Sequence, residues 1–108
     1  MKTITQIQAG ICGFVTHVSA ESEDNQNVNF GIKSNCEKIE ALAVKLNTIQ
    51  PVDAFQEISP AGEGRIMAVV RETLKGCCAG CAVPVGIFKA MQVAAGLALP
   101  KDISITFK

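Results

Sequence analysis

The sequence predicts an α+β domain: a small, mostly antiparallel sheet of N-terminal strands plus a C-terminal strand, with about three helices packed on one face. Three observations carry this. Residues of alternating polarity are confined to the first third of the chain and to its last few positions. Between them the apolar residues recur at helical spacing. The order is therefore strands, then helices, then one strand, and segregation of that kind favours an antiparallel sheet covered on one side over a βαβ repeat.

The first strand is expected near Thr3 to Ala9, a stretch rich in Thr and Ile. Gly10 and Gly13 then bracket Ile11 and Cys12. Phe14, Thr16 and Val18 alternate with Val15, His17 and Ser19 as a mixed second strand. Val28, Phe30 and Ile32 alternate with Asn27, Asn29, Gly31 and Lys33, the period of two that marks a half-buried strand. The polar stretch Glu21 to Asn27 between these runs reads as the loop of an antiparallel hairpin.

Ser34-Asn35-Cys36-Glu37 has the form of a capping box, with Ser34 as N-cap and Glu37 reaching back. Ile39, Leu42, Ala43, Leu46 and Ile49 follow at helical spacing, and Pro51 ends that helix. A second helix is expected from about Gly62 to Lys75, with Ile66, Val69, Val70 and Leu74 on one face and Ser59-Pro60 at its start. A third is expected from about Pro84 to Ala95, striped by Ile87, Phe88, Met91, Ala94 and Ala95, with Gly96 placed to cap it. After Pro100, Ile103, Ile105 and Phe107 alternate with Ser104, Thr106 and Lys108. This last strand is expected to return to the sheet.

At 108 residues the chain fits one domain. A hydrophobic fraction of 48% with 19% charged residues describes a globular chain. Ten basic residues balance ten acidic ones, so nucleic acid is not the expected partner, since phosphate binding needs a basic excess. No apolar run approaches the ~20 residues of a membrane span, and the first residues lack the apolar core of a signal peptide. The expected location is the cytoplasm, where thiols stay reduced.

The chemical interest lies in the five cysteines, Cys12, Cys36, Cys77, Cys78 and Cys81. An odd number cannot all pair within one chain. Cys12 sits between glycines that allow a tight turn and a close backbone approach to its sulfur. Cys36 and Cys81 lie near expected helix starts, where partial positive charge favours a thiolate. Cys78 and Cys81 form a C-x-x-C, which supplies two metal ligands from one turn. Cys12 and Cys36 complete a set of four thiolates suited to zinc or an iron–sulfur cluster.

Two other readings stand beside that one. Cysteine packs as a small hydrophobe. On that basis Cys36 continues the face of Ile39, Cys77 continues the face of Ile66, Val70 and Leu74, and the chain is a non-catalytic interaction module that forms a homo-oligomer. Alternatively Cys81 is the thiol of a redox protein or enzyme, although here the C-x-x-C follows a helix and not the first strand of a βαβ unit. His17, the lone histidine, reads as a surface or core residue. Glu21, Glu23 and Asp24 read as solvation, and Gly62-Glu63-Gly64-Arg65 lacks the pattern of a phosphate loop. No residue pattern specifies a substrate.

Taken together, Ala9-Gly10-Ile11-Cys12-Gly13-Phe14, Ser34-Asn35-Cys36-Glu37, Cys81-Ala82-Val83-Pro84 and the stretch from Val93 to Asp102 resemble a family of short uncharacterised proteins of anaerobic bacteria and archaea, of the domain-of-unknown-function kind. The resemblance covers nearly the whole chain. In that family the third segment reads Cys-Pro-Val-Pro, and here Ala82 replaces the first proline. The resemblance implies that Cys12, Cys36 and Cys81 belong to the shared pattern, and it does not bring Cys77 or Cys78 with them. A three-thiolate site with an open position thereby becomes a rival to the closed four-thiolate site.

Overall fold

The computed structural model describes residues 1–77 and 80–108. The elements run β1 (Lys2–Gln8), β2 (Val15–Glu21), β3 (Asn27–Ser34), α1 (Glu37–Ile49), β4 (Val52–Asp53), α2 (Ala54–Ile58), α3 (Arg65–Thr73) and α4 (Val83–Ala94). The sheet has the order β1-β2-β3-β4, and every neighbouring pair is antiparallel. The fold is α+β.

The alternation in β2 and β3 does what the sequence predicts. Thr16, Val18 and Ala20 of β2 and Val28 and Phe30 of β3 are buried on one face, where Ile7 of β1 joins them. Helix α4 packs over β1 and β2, α1 over β3, and α3 against α1. Leu42, Leu46, Ile66, Val70, Leu74, Ile87 and Met91 fill the space between the sheet and the helices. Burying a side chain of this kind stabilises by ~1.5–3 kcal/mol, so the core is supplied by the helical stripes read from the sequence.

The hairpin loop is held by one carboxylate. Asp24 Oδ1 accepts the backbone N–H groups of Gln26 (3.0 Å) and Asn27 (2.8 Å), and Oδ2 accepts the Asn27 side chain (2.8 Å). Asn25 then takes φ +58°, a region asparagine tolerates better than most residues. At the other end of α4, the N–H of Leu97 bonds the Gln92 carbonyl (2.8 Å) and that of Gly96 the Val93 carbonyl (3.0 Å). With Gly96 at φ +77°, this is a Schellman cap, and Gly96 closes the helix as the sequence predicts.

Three expectations need correction. The C-terminal strand is not in the sheet: residues 101–108 carry no secondary structure and are all exposed, with Ile105 at 81% and Phe107 at 96%. Alternation makes a segment able to pair but does not bring it to an edge; within this chain the fourth strand is instead β4, beside β3, and the C-terminal segment does not reach the β1 edge. Only two residues long, β4 is too short for a period of two to register. Its Val52 pairs with Val28 in the core.

The capping box also fails to form. Ser34 is still in β3, opposite Thr16, so the N-cap is Cys36, and among the described residues no side chain caps the helix. The start of α3 is different again. Ser59-Pro60 does not begin it. A short helix, α2, capped by Asp53 through Phe55 N (2.9 Å) and Gln56 N (3.2 Å), comes first. Glu57 of α2 is buried, and its carboxylate accepts the N–H groups of Arg65 (3.0 Å) and Ile66 (2.6 Å), the first turn of α3. The cap of α3 thus comes from a distant residue, which no local pattern of spacing reveals.

Among the described residues, no helix is long and apolar enough to cross a membrane.

Candidate thiol site

The antiparallel register places the end of β1, the start of β2 and the end of β3 at one end of the sheet, since Gln8 pairs with Val15 and Thr16 with Ser34. Cys12 lies in the β1–β2 loop at that end. The loop closes through Ala9 N to the Phe14 carbonyl (3.1 Å) and Gly13 N to the Gly10 carbonyl (2.9 Å). Gly10 and Gly13 hold φ of +86° and +74°, so both turns need glycine. Cys12 is exposed, its sulfur 3.8 Å from the Ala9 carbonyl oxygen.

Cys36 lies at the β3–α1 junction of the same end. Its N–H donates to Ser34 Oγ (3.1 Å) and its carbonyl accepts from Glu40 N (2.9 Å), the first bond of α1. Asn35 ties the junction to β2 by accepting the Val15 N–H (3.4 Å). The Cys36 side chain is half-buried against the core.

The α3–α4 connection reaches the same place. Lys38, in the first turn of α1, donates to the Lys75 carbonyl (2.8 Å) and pins the end of α3 beside Cys36. Cys77 N bonds the Leu74 carbonyl (3.0 Å), and Cys81 N bonds the Cys77 carbonyl (2.8 Å), one turn further on. Cys77 is therefore exposed in a turn, not on an apolar helix face as its spacing predicts. The helical run stops at Thr73, because Leu74 leaves helical geometry. Cys81 is half-buried just before α4. Cys78, the first cysteine of the C-x-x-C, lies outside the described residues.

The electrostatics of Cys81 relate these loops. Burial pushes its thiol pKa up from the ordinary value. The Val83 N–H, at the start of α4, works against this by hydrogen bonding to the sulfur, and negative charge on Cys77, Cys12 and Cys36 pushes the pKa further up. The helix end does act on Cys81, but burial outweighs it, so the low pKa expected from the helix start is overturned. Interactions between thiolates fall off over a few ångströms to about a Debye length, so Cys12, Cys36, Cys77 and Cys81 form one electrostatic neighbourhood. Among the described residues, no group of three or more His, Cys, Asp or Glu side chains is arranged to hold a metal ion. Cys81 therefore senses the other three thiols, while the described cysteines by themselves are not drawn into a ligand group.

His17 stands apart. It is exposed on the face of β2 opposite the buried Thr16 and Val18, and it lines a shallow depression with Val15, Lys33, Ser34 and Asn35. Cys77 is the residue of this neighbourhood that the ligand set read from the sequence leaves out. Its spacing from Cys81, one helical turn, is the signal that points to it.

With this geometry in view, a family model described as a family of unknown function, DUF6951, matches residues 3–107. The chain belongs to DUF6951. That agrees with the resemblance to a domain of unknown function, and the match takes in every cysteine of the neighbourhood. No curated protein and no solved structure matches the chain.

Proposed function

We propose that this DUF6951 chain binds a thiophilic metal, zinc or an iron–sulfur cluster, through Cys12, Cys36 and Cys81, with a fourth thiolate from the Cys77-Cys78 pair. The observation that supports this is the coupling of Cys81 to three other cysteines drawn from separate loops. Thiols that repel one another once charged are stabilised together by a cation, which binds them as thiolates and releases their protons. The raised pKa of Cys81 works against a free thiolate nucleophile there, because the thiolate is the attacking species. The exposure of Cys12 and Cys77 works against a purely packing role for the set. Cys12 sits on a turn built by two glycines of positive φ, which presents its sulfur at the surface beside the Cys36 and Cys81 loops. The cytoplasm suits such a site, since its poise keeps the ligands reduced.

The test is metal content of protein purified without oxygen, followed by zinc titration of the metal-free protein with every thiol mapped by iodoacetamide and mass spectrometry. About one zinc, or one cluster, per chain is expected for a four-thiolate site, with Cys12, Cys36 and Cys81 protected from alkylation. Serine substitution of any of these should abolish the protection. Protein that takes up no metal, and whose thiols alkylate at the same rate with and without stoichiometric zinc, would overturn the proposal.

A further inference from the structure

The C-terminal segment has the composition of a strand and none of its pairing. Ile103, Ile105 and Phe107 fall on one side of an extended chain, with Ser104, Thr106 and Lys108 on the other. The apolar three are 58%, 81% and 96% exposed. Such a row stays in water only at a substantial free-energy cost, about 25 cal/mol for each Å² of apolar surface.

The sheet has a matching vacancy. β1 is an edge strand, paired among the described residues with β2 alone. Natural edges are blunted by proline, bulges or charge. β1 reads Lys-Thr-Ile-Thr-Gln-Ile-Gln, with no proline and no charge beyond Lys2, and it pairs with β2 in unbroken register from Lys2 to Gln8. Its helix-side row runs from half-buried Thr3 and Thr5 to buried Ile7, so the shoulder beside α4 is only partly covered. Ile4, on the other face, is 71% exposed.

We infer that residues 103–107 of one copy pair with the β1 edge of a second copy, and that the reciprocal exchange forms a two-fold dimer. Every copy carries both the donor strand and the acceptor edge, so a two-fold arrangement satisfies both at once and leaves neither open to further growth. The reciprocal exchange doubles the contact, two tails on two β1 edges, toward the ~1,200–2,000 Å² that a stable interface needs. The family match extends through residue 107, so the tail belongs to the shared unit. The main-chain bonds would supply affinity, and the alternating side chains would set the register. The inference does not depend on the thiol proposal.

The test is light scattering behind gel filtration, combined with hydrogen exchange on the full chain. Twice the chain mass is expected, with slowed amide exchange at 103–107 and along β1. Ile105→Lys, and separately truncation after Lys101, should return the mass to that of one chain and speed exchange in β1, while protection in β2 and β3 reports that the fold is kept. A single-chain mass for the unaltered protein at micromolar concentration overturns the inference, whether its tail exchanges freely or is protected by folding back on its own sheet. So does a dimer that shows no protection at 103–107.

Discussion

Thr16 donates its hydroxyl proton to the Ser34 hydroxyl, 2.9 Å away across the β2–β3 pair, and the same Ser34 oxygen accepts the N–H of Cys36 at 3.1 Å. Thr16 is buried, so this short chain of bonds links the sheet interior to the residue that opens α1. Ser34→Ala should destabilise the protein by about 1–3 kcal/mol, because it strands a buried hydroxyl and loosens the Cys36 N–H. Thr16→Val should recover part of that loss in the Ser34→Ala background but not in the wild type. A double-mutant cycle by urea denaturation measures the coupling. Additive effects would show that the bond contributes nothing.

The raised pKa of Cys81 sets an order of reactivity in metal-free protein. Iodoacetamide at neutral pH should label exposed Cys12 and Cys77 well before half-buried Cys81, with roughly a tenfold or greater delay for Cys81. Raising the pH should speed Cys81 as its thiolate fraction grows. Peptide mapping of timed reactions checks this, and rapid labelling of Cys81 at pH 7 would contradict it.

A Cβ added at Gly86 would collide with Cδ1 of buried Ile7, so α4 approaches β1 as closely as it does because position 86 has no side chain. Gly86→Ala should therefore destabilise by about 1–3 kcal/mol despite alanine's better helix propensity. In an Ile7→Ala background, itself costly by ~2–5 kcal/mol, the same substitution should become neutral or stabilising. Thermal or denaturant unfolding of the four proteins settles the sign.

Asp24 is held well below its ordinary pKa of 3.8, at about 2, first by the Asn27 side chain and then by the backbone N–H groups of Asn27 and Gln26. Asp53 is lowered in the same direction, chiefly by the Gln26 side chain. A depressed carboxyl pKa in the folded state gives stability that is complete above the unfolded value and lost as protons bind. The contribution of Asp24 should therefore be full above about pH 4 and fall away as the pH drops through about 2. Asp24→Asn should flatten that acid limb. Carboxyl NMR titration of the wild type, with a midpoint near 4, would refute the assignment.

The two-residue alternation of Val28, Phe30 and Ile32 and the helical stripes of Leu42, Leu46, Val70, Ile87 and Met91 are local properties. They were enough to set the α+β class, the hairpin, the helical stripes and the Gly96 cap. Periodicity reports which face of an element is apolar and therefore which faces the sheet and its helical cover must bury between them. Ser34 shows the limit. Its spacing to Glu37 fits a capping box, but strand pairing with Thr16 takes the hydroxyl first. Glu57 capping α3 and β4 joining the sheet depend on groups far apart in sequence or too few to show a period.

The cysteines divide in the same way. Their number, and the glycines around Cys12, are plain in the chain and mark where thiol chemistry can be sought. That Cys77 leaves its helix and joins Cys12, Cys36 and Cys81 in one neighbourhood follows from where α3 stops and from Lys38 pinning Lys75. Burial, which raises the Cys81 pKa over the pull of the helix end, exists only once α4 has packed on the sheet. Sequence alone determined which faces must be covered and which residues can do chemistry. Tertiary structure alone decided which of them meet, because both hydrogen-bond competition and desolvation are set by neighbours that the chain brings together only on folding.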